Sequence, residues 1–385
     1  MYRNLTKPIE FLAGSVLDGV ASLLNYGEGP LVGAPTDGTV KLPEDLYSKP
    51  DAETEWWYYT GHCSTDAGRE FGFELVFFKR RTDRDRIGFF PMTALANPMY
   101  FAHFAISDVT RQSFQFDHIR SFGMPFDVPV SMSATSCDVR LGEWSLREVA
   151  GKHLLHATLE DGTTFDAILE PTKPIVLNGD GGDGLAKKVG GASKHFSFTR
   201  MSATGRLDGE SFTGEAWMDR EIGSWGAAGG WDWFSIQLDD NTELMLYQFA
   251  DVDGGMLGAS TGTYVLGDGI SQYLTRQEFE IETLSTWTSS ATEATYPNRW
   301  HILVPSLGID LEVASLIPDQ ELDTRGTTMI VYWEGACRVV GSVGDRRVTG
   351  KAYVELVGYD RTHESVGVTD FLFGKQIRRL QSMFA

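Results

Sequence analysis

The stretch Glu55-Trp56-Trp57-Tyr58-Tyr59-Thr60-Gly61-His62 decides the fold. At the two-residue period of a β-strand, Glu55, Trp57 and Tyr59 share one face, while Trp56, Tyr58 and Thr60 share the other. A strand that is aromatic on both faces is buried on both, against another element or domain. Working outward, short alternating segments rich in aromatic and β-branched residues occur near 69–81, 100–109, 112–120, 136–147, 153–160, 163–170, 195–206 and 211–220. Glu160-Asp161-Gly162 and Leu207-Asp208-Gly209 supply turns between them. A second block of strands runs from 231 to 358, with Asp239-Asp240-Asn241 as a hairpin turn. Each block has the strand number and spacing of an antiparallel barrel or sandwich, so the expected class is all-β.

The glycine-rich stretch Gly223–Gly230 is the expected join. It divides the chain into a lead-in segment (1–48), a first β domain (49–224) and a second (225–385). Asn178–Gly191, rich in Gly and Asp, reads as a long loop of the first domain. Ile9, Leu12, Val16, Leu17, Val20, Leu23 and Leu24 recur at helical spacing and predict an amphipathic N-terminal helix. A short basic segment, Lys375–Met383, predicts a closing helix.

Composition excludes several function classes. The 385 residues are 42 % hydrophobic and 22 % charged, the balance of a folded chain long enough for two cores. Lys+Arg 33 against Asp+Glu 53 gives a net charge of −20. Nucleic acid and anionic membrane surfaces both demand the opposite sign. Cys63, Cys137 and Cys337 are too few, too scattered and odd in number for a disulfide scaffold, and they read as free or buried thiols. The apolar N-terminal run is interrupted by Glu10 and Asp18 and is too short to cross a bilayer, so a cytoplasmic location is the default expectation.

Two motif matches carry little chemistry. Gly179–Gly184 satisfies GxGxxG, but the segment Leu185–Gly191 after it is too short for the helix that cradles a pyrophosphate, and the two aspartates of the motif repel phosphate. Gly258–Gly262 satisfies GxSxG, yet Thr263-Tyr264-Val265-Leu266 after Ser260 is strand chemistry, whereas a nucleophile elbow needs a helix there. The eight histidines are scattered, and no metal site or cofactor is expected.

The segment Asp51–His62 resembles the opening signature of the AttH-like branch of the carotenoid hydratase-like family. Ala102–Asp108 resembles its histidine-containing strand, and Trp217-Met218-Asp219-Arg220-Glu221 its Trp-Met-Asp-His-Glu segment. Gly230–Phe234, Glu243–Gln248, Tyr332–Ala336 and Tyr353–Tyr359 continue the likeness in order, over about residues 50–360. The resemblance implies two lipocalin-like domains packed together. It also implies water addition to double bonds, cyclisation or Diels–Alder-type ring closure as the range of activities. Arg220 departs from the family's histidine, and in place of a neutral imidazole it offers a permanent cation beside two carboxylates.

Asp219 and Glu221, two apart on a strand, can face one cavity and are the expected catalytic pair. Burial among Trp217, Trp225, Trp231 and Trp233 would let one keep its proton near neutrality, and aromatic faces would stabilise a cation made from a polyene. Glu55, Trp57, Tyr59, His103, Arg220, Trp231, Trp233 and Tyr247 are the expected substrate-binding set. The function expected is cyclase or isomerase chemistry, hydratase- or Diels–Alderase-like, on an apolar polyene or isoprenoid-like small molecule. A non-catalytic carrier of an apolar ligand is the alternative, with a hydrolase built on Ser260 third.

Overall fold

The computed structural model describes residues 33, 35, 37–83, 86–87, 90–91, 93, 96–225, 230–250, 255–328 and 330–360. Both expected terminal helices lie outside these residues. Among them, no helix is long and apolar enough to cross a membrane.

Two large antiparallel sheets, each curled into a barrel around its own core, make up most of the structure, beside a two-stranded ribbon of Arg86–Ile87 and Phe90–Pro91. The first has 13 strands, with Glu70–Arg80, Thr54–Thr65, Glu210–Ser224 and Gly191–Leu207 side by side at its centre. The second has 10, centred on Glu243–Ala250, Gly230–Leu238, Arg346–Val357 and Val331–Val343. Strand Thr54–Thr65 shows why the two blocks pack together. Trp57, Tyr59 and Cys63 enter the core of the first barrel with Phe71, Phe73 and Leu75. Tyr58 joins a separate apolar cluster with Trp217, Trp233, Met245, Tyr247 and Tyr353, which glues barrel to barrel. Each fully buried side chain of this size contributes about 1.5–3 kcal/mol, so both faces of the strand are strongly committed.

The turn chemistry follows the sequence closely. Asp208 (φ +50°) and Gly209 (φ +82°) make a two-residue hairpin turn with both residues left-handed, the geometry that matches strand twist. Asn241 is left-handed in the hairpin joining Gly230–Leu238 to Glu243–Ala250. Two sequence expectations are corrected. The single strand at 136–147 is a hairpin, Asp138–Leu141 and Trp144–Val149, turning at left-handed Gly142. The loop at Asn178–Gly191 contains strand Leu185–Lys188, which pairs with Gly191–Leu207 through a tight turn at Gly190. The glycines there serve a hairpin.

The barrels are pinned together by ions at one end of their seam. Lys173 and Arg200 of the first sheet's half both reach Glu243 of the second, at 2.8 and 2.7 Å. Arg200 also donates to the Leu238 carbonyl (2.9 Å) and pairs with Glu215 (2.7 Å). Gln237 donates across the seam to the Thr199 carbonyl at 2.8 Å.

Candidate active site

Strand register builds a cavity between the two sheets. On the first sheet, one rung places Phe78, Trp56, Glu221 and His195 opposite one another on successive strands. The next rung places His103, Val76, Tyr58, Asp219 and Ser197 in line. On the facing sheet a single rung carries Tyr247, Trp233, Glu355 and Glu334. Side chains opposite each other in a ladder share a face, so these three rows converge. The cavity between them is lined by Trp56, Tyr58, Val76, Phe78, His195, Asp219, Glu221, Trp233, Tyr247, Tyr332, Glu334 and Glu355. Its free volume is ≈ 30 Å³, the room of one or two water molecules.

His195 stands at the centre of the polar wall. Its Nδ1 lies 3.1 Å from Glu221 Oε1 and its Nε2 lies 3.3 Å from Asp219 Oδ2. Asp219 Oδ1 accepts hydrogen bonds from Trp217 Nε1 (2.6 Å) and Ser197 Oγ (2.5 Å). Glu221 is also ion-paired with Lys188, at 2.5 Å. The Lys188 ammonium rests 4.3 Å from the centre of the Tyr247 ring, with Phe249 and Trp225 around it. The imidazole therefore sits between two carboxylates, Asp219 held by hydrogen bonds from Trp217 and Ser197 and Glu221 by its ion pair with Lys188.

Across the cavity the acids differ. Burial pushes Glu355 up to about 7, against a Trp231 Nε1–H hydrogen bond of 2.9 Å that pulls it down. Glu334 is raised well above the usual carboxylate range by burial and by the neighbouring Glu74 and Glu355. It accepts a short hydrogen bond from the Tyr58 hydroxyl. Burial likewise holds the Tyr58 and Tyr332 hydroxyls protonated, and Tyr332 is bound to His103 Nδ1 at 2.7 Å. The site thus offers a carboxyl poised to lose a proton near neutrality, an imidazole facing it, and aromatic walls.

The expected site residues fall into two groups. Asp219, Glu221, Trp233 and Tyr247 line the cavity, Trp231 reaches it through Glu355, and His103 stands behind Tyr332. Glu55, Trp57, Tyr59 and Arg220 do not reach it. Strand alternation turns them into the first barrel, away from this cavity. Arg220 is fully buried there, 3.9 Å from the Trp57 ring centre and 3.3 Å from Glu55. Its guanidinium also donates to the carbonyls of Asp45, Tyr47, Trp56 and Glu221. Glu55 also pairs with Lys79 at 3.1 Å, and Tyr59 bonds His153 at 2.7 Å. The cation beside the two carboxylates is Lys188. Ser260 is buried at the start of strand Thr261–Val265 and accepts the Phe249 N–H at 2.9 Å, an arrangement without an elbow.

A model of the AttH-like family matches residues 34–359. The chain belongs to the AttH-like family. No curated protein matches its sequence. The crystal structure of an AttH-type protein from Nitrosomonas europaea is 28 % identical, superposes with a TM-score of 0.73, and aligns over 86 % of this chain and 100 % of its own. Kievitone hydratase from Nectria haematococca is 17 % identical with a TM-score of 0.63, over 86 % of this chain and 97 % of its own. At that identity the second likeness shows a shared fold. The two-barrel architecture of this AttH-like chain is therefore one that also occurs in a hydratase.

Proposed function

We propose that this AttH-like protein is a lyase- or isomerase-type enzyme that moves protons at a carbon–carbon double bond of an apolar small molecule held between its barrels. One observation carries the reading: a buried carboxyl poised near neutrality, Glu355, faces an imidazole bracketed by two carboxylates, His195, in a cavity with aromatic walls. Glu355 donates its proton to one alkene carbon, forming a C–H bond and leaving a cation on the other carbon. The faces of Trp56, Trp233 and Tyr247 stabilise that cation. In hydration, a water oxygen forms the new C–O bond and His195 accepts the released proton. In isomerisation, His195 removes a proton from the neighbouring carbon; in cyclisation, a second double bond of the same molecule captures the cation first. Asp219 and Glu221 orient His195 and stabilise its charge. Acid–base chemistry is favoured over a pericyclic reaction governed by shape, which has no use for the buried acid. Native mass spectrometry of the purified protein should reveal a bound apolar ligand or product. Incubating that molecule, or acyclic isoprenoids and conjugated polyenes, with the protein should yield an isomer or a one-water adduct. Recovery of every bound compound unchanged would instead identify a carrier.

A further inference from the structure

The cavity is small, with ≈ 30 Å³ of free space. Room for a larger molecule requires the barrels to part at their seam, and the seam differs along its length. At Gln237 it is pinned by the Arg200–Glu243–Lys173 ions. Four residues back along the strand, at Trp233, roughly 13 Å away, the facing groups are carboxyls without ionic partners. Glu334 and Glu355 are directly opposite in the second sheet's ladder. Glu74, one rung beyond Val76, approaches from the first sheet, fully buried, with neither oxygen hydrogen-bonded among the described residues. Among those residues, no lysine or arginine is ion-paired with any of the three acids. Burying such a group as an anion costs several kcal/mol, so the closed seam requires the neutral acid.

We propose that the seam is a hinge governed by Glu74, Glu334 and Glu355: it stays shut while these acids are protonated and opens at their end, about the Arg200–Glu243–Lys173 pin, as they ionise. This rests on the reading of the cavity as the ligand site, and it makes ligand exchange pH-dependent. The groups facing the acids support the direction. Strand Thr54–Thr65 contributes the Tyr58 hydroxyl, and Met99–Asp108 contributes His103 bound to Tyr332 of Val331–Val343. Tyr353, on the same strand as Glu355, adds a buried hydroxyl beside Ser107. These groups provide no fixed positive charge. Beyond Glu355, Lys188 and His195 are already engaged by Glu221 and Asp219. An open seam returns the acids to water and to their ordinary range near about 4.3, whereas burial raises all three when it is shut. Between those limits the open-to-shut ratio grows about tenfold per pH unit for each acid.

Uptake of Nile red, a neutral apolar dye, by the full-length protein from about pH 5 to about pH 9 tests the hinge, together with far-UV circular dichroism to confirm folding. Apparent affinity should rise with pH, and Glu74→Gln should lower the slope by about one decade per pH unit, because it removes one titrating group. A flat profile in the wild type, or an unchanged slope in Glu74→Gln, overturns the proposal. Should that variant fail to fold, small-angle scattering of the wild type decides: expansion with rising pH supports the hinge, and a constant radius overturns it. Either failure leaves the proposed chemistry standing, and a chemically inert carrier could still pass this test.

Discussion

His195 gathers the cavity's polar groups because a carboxylate addresses each of its nitrogens, Glu221 at 3.1 Å and Asp219 at 3.3 Å. Removing it should cost about 10²–10⁴-fold in turnover, the usual worth of a general base. His195→Ala assayed under saturating ligand measures this directly. Asp219→Asn and Glu221→Gln should lower turnover by at least about tenfold while leaving ligand affinity nearly unchanged, since both act through the imidazole. In the proposed mechanism Glu355 sets the upper limb of the pH profile. Its proton is present below about 7 and lost above it, so turnover should decline as pH rises through that value. A rate–pH profile that is flat from about pH 6 to about pH 8 would remove Glu355 from the acid's role. Residue roles are partly legible from alternation alone: Asp219 and Glu221 share one face, and Arg220 turns to the other. Glu355 and Glu334 are also within reach of sequence reasoning, as acids in the middle of otherwise apolar strands. His195 gives no such signal, because its neighbourhood depends on pairing with Glu221, a register one sequence does not reveal.

Strands and turns are more legible than their partnerships. The Asp208-Gly209 and Asn241 turns follow from residues that tolerate left-handed backbone. The glycines around Leu185–Lys188 read as loop because a tight hairpin and a loop share the same composition, and with them is hidden Lys188, the cation that holds Glu221. Which face of Thr54–Thr65 meets the second barrel is also hidden, since both faces are aromatic. The neighbouring strand Glu70–Arg80 meets the second barrel closely at Gly72. A Cβ added at Gly72 would stand 2.7 Å from Ala336 Cβ and 3.1 Å from the Tyr353 ring. Gly72→Ala should therefore push the sheets apart and destabilise the protein by about 1–3 kcal/mol, read as a lower urea midpoint. At the pinned end, Glu243→Gln leaves Lys173 and Arg200 short of their shared anion. The expected loss is about 3–5 kcal/mol by the same measurement.

For the whole molecule, two barrels that each pack around their own core leave three acids buried at the seam, none ion-paired with a lysine or arginine among the described residues. Glu355, Glu334 and Glu74 have raised values in the folded state and ordinary ones, about 4.3, in the unfolded chain. Their contribution is fully present below about pH 4.3 and is lost as pH rises through the folded-state values, for Glu355 through about 7. Glu74→Gln should thus raise the melting temperature relative to wild type at about pH 8 and confer no such gain at about pH 4, by scanning calorimetry. The two β blocks are legible in the sequence, whereas the cavity that the proposed chemistry uses exists only where the two sheets meet. The proposed mechanism turns on a proton passing from Glu355 to carbon inside that site. It is tested most directly by running the reaction in D₂O and measuring deuterium bound to carbon in the product by mass spectrometry, with wild type beside Glu355→Gln. One deuterium per turnover is expected in the wild type, and a rate of incorporation at least about a hundredfold lower in the variant. Product formed without deuterium on carbon, or incorporation undiminished in Glu355→Gln, would contradict it.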